Sequence, residues 1–375
     1  MRKEEIRGLI VYTLMIIGAI IVGFTVLRNQ MELYGPVKMS GFGFIIVVII
    51  AAYLVNVIGL EVLHVLGAKA GGYKITGFNV LGFGWYKKEK NWKFSFREFN
   101  GISGETVIAP NKEKLNANLQ TWFPLFGFAF ELASCIVVAS IIKGSTNANI
   151  LWLVPASTIM LLIGSMLAFY NFIPLRLDSA TDGYKIRLFT NPTNLKAYNQ
   201  MLEINEKKRL GETVTDIPVF DEITEFTAEI NAFSMYAKLE SEKFEEAENI
   251  IDKLLENKKV LNVIDYKRLI AQKLYLVILN KPIEDAKRIY DEICPTEIRR
   301  FIANDISMQS IRAYVMIAGM IEGSESEVLF AETKIEKAKK RALASEIVAE
   351  EKLLEKAIDF VYKAHPKWNK EKTAE

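Results

Sequence analysis

The order of apolar and polar positions divides this chain into three stretches. The first carries long charge-free runs. From Gly8 to Leu27 there are twenty residues without a charge, closed by Arg7 and Arg28, and from Met39 to Leu60 there are twenty-two more. Each is long enough to cross a hydrocarbon core of about 30 Å as a helix. A secretory signal peptide is the alternative for the first run, which follows Met1-Arg2-Lys3, but the run is too long and no small-residue cleavage site follows it. Two further runs, Thr121 to Ile142 and Ile150 to Ile173, flank a short polar loop. The pattern therefore predicts four transmembrane helices.

Between the second and third runs the period changes. Gly71 to Val80, Gly82 to Tyr86 and Asn91 to Phe99 alternate aromatic and charged residues between glycine and asparagine punctuation. Period-two alternation of this kind predicts strands and turns, and so a small antiparallel sheet at the membrane surface. An ordinary hairpin with one wet face explains the alternation, and an edge able to pair with an extended peptide is the functional alternative.

After residue 195 the chain turns polar and helical. Phe244, Ala247, Ile250, Ile251 and Leu254 recur at helical spacing, and Ile283, Ala286, Ile289, Tyr290 and Ile293 repeat the pattern thirty-nine residues later. Tyr236, Tyr275 and Tyr314 keep the same interval, most simply as packing. The periodicity predicts stacked helical hairpins, a third of which, from Ile311 to Ala338, needs an insertion. It resembles a tetratricopeptide-type array, with a longer period and without the full consensus, and such arrays offer a concave surface to a protein partner. The fold class expected is mainly α: a polytopic membrane protein with a small sheet and a C-terminal α-helical repeat domain. The divisions are residues 1–38 (first helix and loop), 39–190 (membrane core), 191–230 (linker) and 231–375 (helical repeats).

Composition fits a membrane protein with a soluble part, since 50% of residues are hydrophobic and 25% are charged. A net charge of +2 is too small to argue for nucleic acid. Cys135 and Cys294 alone make no disulfide framework. Lysine and arginine concentrate at the N-terminus, between Lys69 and Lys114, and after Arg176, whereas residues 28 to 40 and 143 to 149 carry few. The positive-inside rule then places both termini in the cytosol.

Candidate chemistry lies at the end of the second run, Leu60-Glu61-Val62-Leu63-His64. Complete, an H-E-x-x-H helix offers two imidazoles to one zinc ion and a glutamate to its bound water. Leu60 stands where the first histidine belongs. Glu131, within the third run, is a carboxylate that either serves the bundle interior or is solvated near the interface. At the end of the fourth run, Asn171-Phe172-Ile173-Pro174 leads to Asp182-Gly183, read as a turn that aims a carboxylate back at the same membrane face.

In this order of parts, residues 40 to 190 resemble the site-2 protease family, intramembrane zinc metalloproteases of the M50 type. The resemblance rests on the H-E-x-x-H position, Ala68-Lys69, Gly82-Phe83-Gly84, the two later helices, and Asn171-x-x-Pro174 leading to Asp182-Gly183. It implies zinc held by His64 and Asp182, with Glu61 as catalytic base and Asn171, Pro174 and Gly183 in support. Asp178 is a second candidate for the aspartate. The missing ligand at Leu60 argues for a degenerate site, because hydrolytic zinc usually has three protein ligands, and His365, the remaining histidine, lies in the polar tail. The resemblance thus implies a catalytically impaired homologue that binds a membrane-embedded peptide or partner protein. An active intramembrane zinc protease with an altered ligand set is the alternative. A bacterial plasma membrane suits the resemblance and the cytosolic tail.

Overall fold

The computed structural model describes residues 3–34, 40–88, 91–96, 104–112, 114–175, 180–212, 214–342 and 344–368. The chain divides into two compact units, Met1–Leu195 and Lys196–Glu375. It is mainly helical, with one small antiparallel sheet and four helices long and apolar enough to cross a membrane.

In the first unit, α1 (Lys3–Val22) continues through a π-helical turn into α2 (Arg28–Tyr34), and the apolar stretch Ile6–Tyr34 is 29 residues long. Helix α3 (Ser40–Ala70) carries the second run and does not stop at Leu60. Nothing between Glu61 and Ala70 breaks a helix, and the chain turns only at Gly71-Gly72, where Gly72 takes φ of 90°. The Glu61–His64 segment is therefore helical.

Strands β1 (Tyr73–Val80), β2 (Phe83–Lys88), β3 (Asn91–Phe96) and β4 (Gly104–Pro110) form a sheet of order β3-β2-β1-β4. Leu81 and Gly82 join β1 to β2 with φ of 53° and 85°, the left-handed pair that a two-residue hairpin requires. Phe83 pairs with Phe96 and Trp85 with Phe94, which puts these rings on one exposed sheet face. The sequence reading did not include β4, which pairs along the other side of β1 from Tyr73 to Val80.

Helices α4 (Asn118–Lys143) and α5 (Leu153–Phe172) pack against α3 and against each other. Small residues set their approach: a Cβ on Gly67 would lie 2.4 Å from the Leu119 carbonyl oxygen. Where α3, α4 and α5 meet, Asn56, Glu131 and Gly164 come together, and a Cβ on Gly164 would sit 3.0 Å from Asn56 Oδ1 and 3.1 Å from Glu131 Oε1. Glu131 thus serves the bundle interior.

Helix α6 (Asp182–Leu188) closes the unit. The segment 191–230, expected as a linker, contains α7 (Pro192–Arg209). Asn191 Oδ1 accepts the Thr193 N–H at 2.8 Å and Pro192 takes the first helical position, so the expected break is a helix start.

The second unit is built from α8 (Glu225–Glu240), α9 (Phe244–Glu256), α10 (Val263–Asn280), α11 (Ile283–Ile293), α12 (Thr296–Asn304), α13 (Met308–Met316), α14 (Glu325–Glu332), α15 (Ile335–Lys339) and α16 (Ala344–Ala364). The stripe Ala247, Ile250, Ile251 and Leu254 of α9 is buried, as its spacing predicts. Tyr275 and Tyr314 lie in the same apolar core. Helix α16 packs along α13, where Arg312 and Glu350, both fully buried, approach to 3.1 Å. Cys135 and Cys294 are free thiols.

Candidate functional site

Glu61 and His64 stand one turn apart on α3 and therefore share a face. Asp182 reaches them from 118 residues away in sequence: its Oδ2 lies 2.7 Å from His64 Nε2. On the other side of the ring, Glu61 Oε2 lies 3.5 Å from His64 Nδ1. One imidazole thus bridges two carboxylates, each only 2% exposed.

Short, checkable contacts fix Asp182. It is the first residue of α6, so the expected turn is a helix start, with Thr181 as cap accepting the Tyr184 N–H at 3.3 Å. The Thr181 hydroxyl donates to the Ile173 carbonyl at 2.8 Å, tying the cap to the end of α5. Asn171 donates from Nδ2 to Asp182 Oδ2 at 2.6 Å, and its Oδ1 accepts the Asp182 N–H at 3.3 Å. A Cβ on Gly183 would lie 2.0 Å from the Phe172 carbonyl oxygen, so only glycine lets α6 approach α5 this closely. Pro174 follows the last turn of α5, is exposed, and ends that helix.

The carboxylates keep further partners. The Thr106 hydroxyl, from β4, donates to Glu61 Oε2 at 2.7 Å. Burial pushes the Asp182 carboxyl up, but the adjacent His64, the nearby Lys185 ammonium and the Asn171 amide outweigh it and leave the group below the usual carboxylate range. Lys185 Nζ stands 3.9 Å from Asp182 Oδ1.

These distances bear on the zinc that the resemblance implies. A hydrolytic zinc site needs three protein ligands around a common point and an open position for water. Here Leu60 is a core residue, 5% exposed, and offers no donor. Both nitrogens of His64 face carboxylate oxygens directly. Among the described residues no group of three or more His, Cys, Asp or Glu is arranged to hold a metal ion. The donor set satisfies itself by hydrogen bonding and does not fit the three-ligand centre. His365 is engaged within its own unit, 2.9 Å from the Gly319 carbonyl oxygen and stacked on Trp368.

Of the site residues named from the sequence, Glu61, His64, Asn171 and Asp182 enter the polar cluster, Gly183 lets α6 approach α5, and Leu60, Pro174, Glu131 and His365 lie outside it. Asp178 lies outside the described residues. Thr106, Thr181 and Lys185 were missed. Thr106 begins the β-branched run Thr106-Val107-Ile108, a strand signal that could have found it. Comparison with known proteins finds no family model, no curated protein and no solved structure that matches this chain.

Proposed function

We propose that the chain is an integral membrane protein of site-2-protease type whose catalytic centre is impaired, and that it binds a membrane-embedded peptide or partner protein. The observation that carries this reading is the bridging His64. With Leu60 in place of a ligand, the imidazole spends both nitrogens on Glu61 and Asp182, so the cluster cements α3 to α6 instead of presenting donors to an ion. The sheet beside it has β3 and β4 as its edges, and an extended segment emerging from the membrane can add to such an edge by main-chain hydrogen bonds.

The four apolar helices support a bilayer location and the lysine and arginine distribution supports cytosolic termini, while the resemblance and the helical-repeat tail suit a bacterial plasma membrane. The second unit, read as stacked helical hairpins of tetratricopeptide type, is the candidate surface for a cytosolic protein partner. No part of the reading calls for nucleic acid.

An active metalloprotease is the second reading, favoured by the convergence of Glu61, His64 and Asp182 on one buried spot. Metal content separates the two. Detergent-purified parent, His64→Ala and Leu60→His proteins are assayed for bound zinc. The impaired-site reading expects no zinc in the parent and near-stoichiometric zinc in Leu60→His. Zinc in the parent that is lost in His64→Ala would overturn it in favour of the protease. In parallel, partner capture from solubilised membranes should be equal for the parent and Glu61→Gln. An uncleaved membrane protein accumulating only with Glu61→Gln points to catalysis.

A further inference from the structure

A groove of about 690 Å³ opens beside the end of α3. Val62, Val65 and Lys69 line it from α3, spaced three and four residues apart and so stacked along one stripe. Lys74 lines it from β1, Trp92 from β3, and Lys112 from the connection after β4. No carboxylate lines it among the described residues. Its walls are aliphatic and aromatic, and its charge is wholly positive.

The groove is preformed. The Asn111 N–H donates to the Gly72 carbonyl at 3.2 Å and the Asn116 N–H to the Gly71 carbonyl at 2.9 Å, so the connection carrying Lys112 is bound to the end of α3. A Cβ on Gly72 would meet Lys112 Cβ at 3.4 Å, and φ of 90° at Gly72 makes the close approach possible. Lys69 is in the last turn of α3, at the end of the apolar stretch Phe42–Ala70. If that stretch spans a bilayer, the ammonium groups stand at headgroup depth and Val62 and Val65 face the upper acyl chain.

We propose that this groove binds one anionic phospholipid, its phosphate between Lys69 and Lys112 and its glycerol and upper acyl carbons along Val62, Val65 and Trp92. The proposal rests on reading Phe42–Ala70 as a membrane span. Charge complementarity selects the anion and the apolar stripe selects the lipid over a free phosphate. The bound headgroup would sit beside the sheet and fix its height at the bilayer surface.

The test uses the full chain reconstituted in phosphatidylcholine vesicles doped with phosphatidylglycerol, either lipid being brominated on its acyl chains in turn. Quenching of Trp92, isolated as the difference between the parent and Trp92→Phe, reports which lipid occupies the groove. Brominated phosphatidylglycerol is expected to quench more strongly at equal mole fraction, and each lysine removed should lower that preference roughly fivefold. Lys69→Gln/Lys112→Gln should therefore abolish most of it, while Lys69→Arg/Lys112→Arg keeps it, which separates loss of charge from loss of fold. Equal quenching by both lipids, or a preference unchanged in the glutamine variant, overturns the proposal. So does displacement by millimolar inorganic phosphate, which would mark a small-anion site. Extraction of the protein from vesicles by alkaline carbonate would instead overturn the membrane span itself.

Discussion

Glu61 is a buried carboxylate whose Oε2 accepts a hydrogen bond from the Thr106 hydroxyl at 2.7 Å. Thr106→Val keeps the shape and removes the donor, so stability should fall by about 1–3 kcal/mol, read as a lower melting temperature in detergent. Glu131 shows the opposite balance. Its Oε1 and Asn56 Oδ1 are two buried acceptors that both face Gly164. Glu131→Gln supplies an N–H where two acceptors meet and should be neutral or stabilising, whereas Glu131→Leu supplies none and should be less stable than the glutamine variant by about 1–3 kcal/mol. A melt in which the glutamine variant is the less stable of the two would contradict this account of the three-helix junction.

At the scale of elements, α6 approaches α5 closely at Gly183. Gly183→Ala drives a methyl into the Phe172 carbonyl, a backbone atom that cannot step aside. The substitution should displace Asp182 from Asn171 and His64, cost several kcal/mol, and loosen α6 in amide hydrogen exchange while α8 to α11 stay protected. In the second unit, Arg299 holds Glu322 through two hydrogen bonds of 2.9 and 2.8 Å. The Arg299 guanidinium, helped by the Tyr290 hydroxyl, depresses the Glu322 carboxyl below its ordinary value of 4.5. A depressed folded pKa stabilises above the unfolded value and loses that contribution as pH falls through the folded one. Glu322→Gln should therefore cost about 1–2 kcal/mol at pH 7, allowing for partial exposure. The gap to the parent should begin to narrow as pH falls through 4.5 and vanish only below the depressed folded value, where the parent's own glutamate is protonated in the folded state too.

Across the whole chain, the second unit is drawn together by α16. Arg312 and Glu350 are a buried ion pair between α13 and α16, and the Arg312 guanidinium also lies 4.5 Å from the Tyr275 ring and donates to Gln272. A pair of this kind contributes little net stability but is costly to break, because the survivor keeps its charge in the core. Glu350→Ala should destabilise the second unit by about 3–5 kcal/mol, while Glu350→Met with Arg312→Met should recover most of that loss. Thermal unfolding of the two variants side by side checks both statements. The regular tyrosine interval gains a physical meaning here: Tyr275 and Tyr314 each lie beneath a guanidinium, Arg312 and Arg299 respectively, within the core.

Sequence alone determined the features that depend on local period. Twenty-residue apolar runs predict long helices, alternation around Gly82 predicts a hairpin, and the stripe from Phe244 to Leu254 predicts one buried helix face. It also named Glu61, His64, Asn171 and Asp182, since residue type and helical spacing carry that much. Tertiary structure decided what those residues do to one another. That His64 spends both nitrogens on carboxylates depends on α6 bringing Asp182 to α3 from 118 residues away in sequence, which no short-range pattern encodes. Thr106 joined Glu61 because β4 pairs beside β1, and Lys112 joined Lys69 because its connection is hydrogen-bonded to Gly71 and Gly72. Period is a property of neighbours along the chain, whereas a site is a property of neighbours in space, and only packing supplies the second.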